Sequence, residues 1–310
     1  MTGFLSLGLE VRDKACLYRR AVQVQTVNRL ANLREAVDEL RSDGGTLALV
    51  PTMGALHEGH LTLVREAAKR ANHVAVSIFV NPTQFGPNED LDAYPRRLAQ
   101  DQALLEAEGV SLLWAPDVEE MYPAGFSTTV SVAGVSAPLE GEKRPGHFDG
   151  VATVVLKLFQ QVRPDVALFG EKDWQQLAVI RRMARDLDLT QPHVDAIIGV
   201  PTVRDADGLA LSSRNAYLSP EHRAAAAALP REMKAAIAAI KEGADVVTTL
   251  EKLEVDLIDA GFSSIDYATL TDAESLVALT ETQHAPMRLL VASKIGGTRL
   301  IDNMAVGGAS

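Results

Sequence analysis

Between residues 46 and 200 short apolar bursts alternate with longer stretches of helical spacing. Residues 46–50 read TLALV and stop at Pro51; after a turn bearing glycine and histidine, residues 61–71 (LTLVREAAKRA) run on without a helix breaker. A second burst, VAVSIFV at 74–80, follows within the roughly 30 residues of one strand–helix–strand unit with a right-handed crossover. The alternation returns as DQALLEAEG (101–109) before SLLW, then VALFG (166–170) leading into KDWQQLAVIRRMARDLDL (172–189), then DAIIGV (195–200). Continuous apolar bursts of this length are what parallel strands buried on both faces require. The texture changes after Pro201: an alanine-rich helical stretch at 220–241, an amphipathic stretch at 250–260, strand-like SIDYATL (264–270), and two β-like runs about a Gly296-Gly297 turn. The predicted class is α/β. A Rossmann-like, doubly wound parallel sheet over 22–202 is followed by a smaller α+β domain over 203–310, and residues 1–21 form an N-terminal extension.

Composition narrows the function. With 47% hydrophobic and 23% charged residues the chain is an ordinary folding sequence, and no apolar run approaches the ~20 residues of a membrane-spanning helix. Thirty basic against 41 acidic residues give a formal charge of −11. Such a field repels nucleic acid and anionic lipid, so an anionic ligand needs a locally basic cleft. The single cysteine, Cys16, cannot pair within the chain, which favours a reducing, cytoplasmic setting. The first twenty residues lack the positive start of a secretory signal.

Five segments carry candidate chemistry. PTMGALHEGHLTLV (51–64) lies between a strand end and a helix, where open α/β sheets bind ligands. Gly54 and Gly59 permit close approach of a phosphate, the helix start offers free N–H groups, and His57 and His60 add donors. The glycine spacing is that of a Walker A loop, but His60-Leu61 replaces Lys-Ser/Thr. The histidines are three apart, not the four of a zinc protease helix. In FVNPTQFGPNEDLDAYPR (79–96), Asn81 and Gln84 suit a hydroxyl or carboxylate without titrating; the same residues also read as an Asn-Pro turn. In GEKRPGHFDGVATVV (141–155), Arg144 and His147 occupy a loop able to cover a site or to be a solvated turn. FGEKDWQQL (169–177) sets Gly170, Glu171, Lys172 and Asp173 at a strand end with Gln176 beyond; the alternative is a surface Lys172–Asp173 ion pair. Leu177, Ile180, Ala184 and Leu187 form the expected core-facing set of that helix. In DGLALSSRNAYLS (207–219), Ser212, Ser213 and Arg214 suit a polyphosphate, although serine is also a common turn residue.

These five segments, in this order over about 22–305, closely resemble the pantothenate synthetase (pantoate-β-alanine ligase) family, within the wider HxGH nucleotidyltransferase superfamily. The resemblance implies ATP-dependent condensation of pantoate with β-alanine through pantoyl adenylate, releasing AMP and pyrophosphate. It implies that Met53, Gly54, Ala55, Leu56, His57, Glu58, Gly59, His60, Gly170, Glu171, Lys172, Asp173, Val203, Leu211, Ser212, Ser213 and Arg214 line ATP. By the same resemblance His60 is the proton donor, and His57, Lys172 and Arg214 stabilise charge. Gln84 and Gln176 hold pantoate, with Gln84 also near β-alanine. Asn81, Arg144 and His147 are further substrate-side candidates. Magnesium is expected to arrive with ATP and no all-protein metal cage is expected; Asp101 is the one acid after Tyr94-Pro95-Arg96 with a possible metal-linked role, because Gln100 stands where many relatives have a second acid. A homodimer is implied. Three other readings are weighed: another HxGH transferase acting on a different acid, a silent nucleotide-binding module, and a zinc hydrolase.

Overall fold

The chain is described by a computed structural model over residues 23–87 and 89–307; the predicted extension 1–21, with Cys16, lies outside the described residues. In chain order the first part comprises β1 (Gln25–Val27), α1 (Leu30–Leu40), β2 (Leu47–Thr52), α2 (Glu58–Ala68), β3 (His73–Ile78), α3 (Leu98–Ala107), β4 (Leu112–Trp114), α4 (Val118–Met121), α5 (Glu140–Lys143), α6 (His147–Val162), β5 (Val166–Gly170), α7 (Trp174–Asp186) and β6 (Ile197–Val200). The six strands pair in parallel in the order β1-β4-β3-β2-β5-β6. Successive side chains alternate between two cores. Leu47, Leu49, Ala75, Leu112 and Phe169 face α1, α6 and α7, while Ala48, Val50, Val76, Leu113 and Leu168 face α2 and α3. The central strands are therefore mostly apolar on both faces, and this is the doubly wound arrangement expected.

The second part comprises α8 (Pro220–Ala226), α9 (Ala228–Lys241), α10 (Val246–Asp259), β7 (Ser264–Asp272), β8 (Met287–Ile295) and β9 (Thr298–Val306). Its antiparallel sheet, β7-β8-β9, packs on α9 and α10 through Met233, Ile237, Leu253, Leu257, Leu289 and Val291. Gly296 and Gly297 both have positive φ, 56° and 76°, as the tight turn between β8 and β9 requires.

Three local expectations are corrected. The 220–241 stretch is two helices, because Pro230 has no N–H to donate back into α8 and is tolerated only in the first turn of α9. The helix after β2 starts at Glu58, ahead of Leu61, so that His57 is its N-cap and His60 lies in its first turn. Leu187 follows the end of α7 and is 48% exposed, outside the core that Leu177, Ile180 and Ala184 enter. The strand β1 and helix α1 were not anticipated.

Candidate active site

Strands β2 and β5 are neighbours at the point where the winding reverses, β3 lying on one side and β6 on the other. The crevice beyond their carboxyl ends is where such sheets bind ligands. The chain leaves β2 through Met53, Gly54 and Ala55, and the last two have positive φ of 86° and 51°. This bend is held by Asp101 at the first turn of α3: its carboxylate, 2% exposed, accepts the N–H groups of Ala55 and Leu56, both at 2.9 Å.

The bend delivers His57 to the N-cap of α2. Its Nδ1 accepts from the Gly59 N–H at 3.2 Å, and the Nδ1 of His60 accepts from the His57 N–H at 3.3 Å. The two rings stand 4.1 Å apart. Burial, then the neighbouring His57 and Lys172, push His60 down to about 3; burial and Lys172 lower His57 as well. Both rings are thus neutral at physiological pH. With Nδ1 engaged as an acceptor in each, the single proton sits on Nε2, left to donate to a ligand.

The opposite wall comes from β5 and the turn after it. Gly170 ends the strand, Lys172 and Asp173 follow in a tight 3-10 turn, and Gln176 lies on the first turn of α7. The Lys172 ammonium is 3.6 Å from the Asp173 carboxylate. A third wall is the loop after β6: Val203, Leu211, Ser212, Ser213 and Arg214 line the same cleft. Arg214 forms a two-pronged pair with Asp90 at 2.8 and 3.2 Å, and Tyr94 is 3.4 Å from Ser213, so the 85–97 loop meets this loop across the mouth. The cleft holds about 1490 Å³ of empty space, partly open to solvent. A smaller cavity adjoins it toward the C-terminal sheet, sharing Lys172, Gln176 and Arg214 and adding Tyr267, Arg299 and Asn303.

Gln84 enters the cleft from the short turn Pro82–Gln84. Its backbone carbonyl accepts from His147 Nδ1 at 2.9 Å and from Arg144 at 3.3 Å, and Arg144 is itself gripped by Glu89 at 2.6 and 2.7 Å. Burial first, and Arg144 second, push His147 down to about 4. Asn81 sits beneath, 1% exposed, donating to Gln84 Oε1 at 2.9 Å while Tyr122 and Thr83 donate to its own oxygen. That bond turns the Gln84 amide so that its NH2 is left for a ligand acceptor.

Of the residues predicted to line ATP, Met53, His57, Gly59, His60, Gly170, Lys172, Asp173, Val203, Leu211, Ser212, Ser213 and Arg214 reach the cleft, and Gln84, Gln176, Arg144 and His147 join them. Gly54, Ala55, Leu56, Glu58, Glu171, Asn81 and Asp101 do not line it. The N–H groups of Ala55 and Leu56 are taken by Asp101; Glu58 is exposed and pairs with Arg65; Glu171 pairs with Arg288 at 3.2 Å. Residues 51–60 alone gave no hint of the supporting groups Glu89, Asp90, Tyr94 and Tyr122, whose partners are far off in sequence. Among the described residues no group of three or more His, Cys, Asp or Glu is arranged to hold a metal ion, and no helix is long and apolar enough to cross a membrane.

Residues 25–305 match the family described as pantoate-beta-alanine ligase. The pantothenate synthetase of Novosphingobium aromaticivorans is 69% identical over 284 residues, 92% of this chain and 99% of that one. The crystal structure of pantothenate synthetase from Thermus thermophilus is similar with a TM-score of 0.85 at 48% identity, covering 92% of this chain and 100% of that one. The pantoate-beta-alanine ligase of Francisella tularensis, complexed with beta-gamma ATP and beta-alanine, is similar with a TM-score of 0.77 at 32% identity, covering 92% and 99%. A match across the whole described fold, at these identities and around this cleft, means that the chain belongs to the pantoate-beta-alanine ligase family and is an ATP-dependent ligase.

Proposed function

We propose that the cleft activates the carboxylate of pantoate with ATP and passes the acyl group to β-alanine. In the first step a carboxylate oxygen attacks the α-phosphorus and pyrophosphate leaves; in the second the β-alanine amine attacks the acyl carbon, AMP leaves, and the amine loses a proton. The free acid is a poor acyl donor, and the mixed anhydride supplies the leaving group. No covalent enzyme intermediate is needed, so the protein's work is orientation and stabilisation of charge.

The observation that carries this reading is the convergence on one cleft of His57, His60, Lys172, Gln84, Gln176 and the 211–214 loop, which follow four different strands, β2, β3, β5 and β6. Lys172 and Arg214 offset phosphate charge that an acidic protein otherwise repels. His57 and His60 donate through Nε2, and a bound polyphosphate raises the basicity of His60 toward the proton-donor role that the family resemblance implies. Ser212 and Ser213 add hydroxyl donors. Gln84 and Gln176 orient pantoate, Gln84 offering its NH2 to an acceptor such as a carboxylate. Asn81 from beneath, and Arg144 and His147 on the cleft wall, fix Gln84. Magnesium enters with ATP, held by phosphate oxygens and water, with Asp173 the cleft acid beside Lys172. Asp101 serves the bend that carries the histidines. We take the chain as two units, 22–202 and 203–310, acting as a cytoplasmic homodimer; light scattering on the purified protein tests the oligomeric state.

Release of AMP and pyrophosphate from Mg-ATP is the test, with pantoate and β-alanine omitted in turn. AMP release is expected only with both substrates present and to be accompanied by pantothenate; His60→Ala should lower adenylate formation at least 100-fold in a protein that still folds cooperatively. Turnover with a different acid in place of pantoate, or near-normal rates in His60→Ala, would contradict the assignment.

A further inference from the structure

Lys172 belongs to the first unit of the chain, yet its turn is held from the other. Asn303, in the middle of β9 and 3% exposed, donates both hydrogens of its Nδ2 to the first unit: to the carbonyl of Glu171 at 2.9 Å and to that of Lys172 at 2.7 Å. Its Oδ1 accepts from Arg288 Nε at 2.5 Å. A guanidinium can only donate, so the amide has one allowed orientation, with both donors toward the turn. Arg288 is anchored in turn, pairing with Glu171 at 3.2 Å and lying over the Trp174 ring at 3.5 Å.

The two carbonyls are not an arbitrary pair. The oxygen of Glu171 lies on the peptide plane before the Lys172 Cα and the oxygen of Lys172 on the plane after it. Two planes bracket one Cα, and their relative rotation is the φ and ψ of that residue. Two bonds from one nitrogen therefore fix the backbone torsions of Lys172 and with them the direction in which its side chain leaves the turn. Placement within a fraction of an ångström is what charge stabilisation at a transferring phosphate needs.

We propose that Asn303 is a positioning residue for Lys172, through which the C-terminal sheet aims the ammonium at the phosphates. The proposal rests on the role given to Lys172 above. Asn303 acts through the lysine, its own donors being spent on the turn.

The experiment is a double-variant cycle on the full chain, Asn303→Ala, Lys172→Ala and the pair, with AMP release followed from labelled ATP. Asn303→Ala should lower kcat at least ten-fold while leaving the KM for pantoate within two-fold, and should add nothing further in the Lys172→Ala background. Losses that multiply in the double variant, or an Asn303→Ala enzyme with normal kcat beside a crippled Lys172→Ala, would overturn the positioning role alone. Normal activity in Lys172→Ala would instead remove the lysine from the chemistry, and the proposal with it. If Asn303→Ala does not fold, Asn303→Asp, of equal size but without the donors, carries the same measurements.

Discussion

Two histidines three residues apart at a helix start would ordinarily be a pair of potential cations, but here each spends Nδ1 on a backbone N–H and keeps its proton on Nε2. The arrangement has a cost in acid. An exposed imidazole takes up its proton near 6.5, whereas burial, with His57 and Lys172, defers protonation of folded His60 to about 3. Between those values the unfolded chain binds a proton that the folded one does not, so this contribution is complete above about 6.5 and is lost as the pH falls toward 3. The slope per such group is at most about 1.4 kcal/mol per pH unit. Urea midpoints measured from pH 7 down to pH 4.5 should therefore fall, and His60→Gln, which cannot titrate, should fall less steeply. Parallel curves for the two proteins would mean that His60 is not held neutral by the fold.

At the level of elements, the turn that carries Gln84 is seated against α6 at a point where only glycine fits. A Cβ on Gly150 would come within 2.4 Å of the Thr83 carbonyl oxygen. Alanine is normally worth up to about 1 kcal/mol more than glycine inside a helix. Gly150→Ala is nonetheless expected to lower the melting temperature and to raise the KM for pantoate more than that for ATP; a stabilised variant with unchanged kinetics would show that the turn moves freely. The parallel strands and the β8–β9 hairpin were legible in the sequence, since doubly buried strands are unbroken apolar runs and the paired glycines mark the turn. The cleft residues with a chemical signature, His57, His60, Lys172, Gln176 and Arg214, were legible too, because they stand just beyond strand ends or in the polar loop near the junction. What stayed hidden was support: the three-residue strand β1, the break before α9, and the pairing of Arg144 with Glu89 and of Arg214 with Asp90. Such partners lie 55 and 124 residues apart, and no local spacing encodes them.

Across the whole molecule the C-terminal sheet is joined to α5 of the first unit by buried charge. Arg299 of β9 reaches Glu140 at 2.6 Å and Asp266 at 2.7 Å, and Tyr267 donates to the same Glu140 at 2.7 Å. Burial pushes the Glu140 carboxyl up, but Arg299 and Tyr267 outweigh it and hold it below the usual carboxylate range. The net worth of such a pair is small, because both charges have been taken out of water; losing one partner is what hurts. Arg299→Met should cost about 3 kcal/mol, read as a lower urea midpoint, and an unchanged midpoint would mean that the junction is held elsewhere. On the same strand, Asp302 grips Arg204 at 2.6 and 2.9 Å where the 203–214 loop begins, next to Asn303 with its hold on the Lys172 turn. Neighbours in a strand point to opposite sides, so a slip of one residue exchanges the two. The Gly296-Gly297 turn is consequently the ruler of the site: a residue gained or lost in this hairpin would carry Asn303 off the Lys172 turn and Asp302 off Arg204.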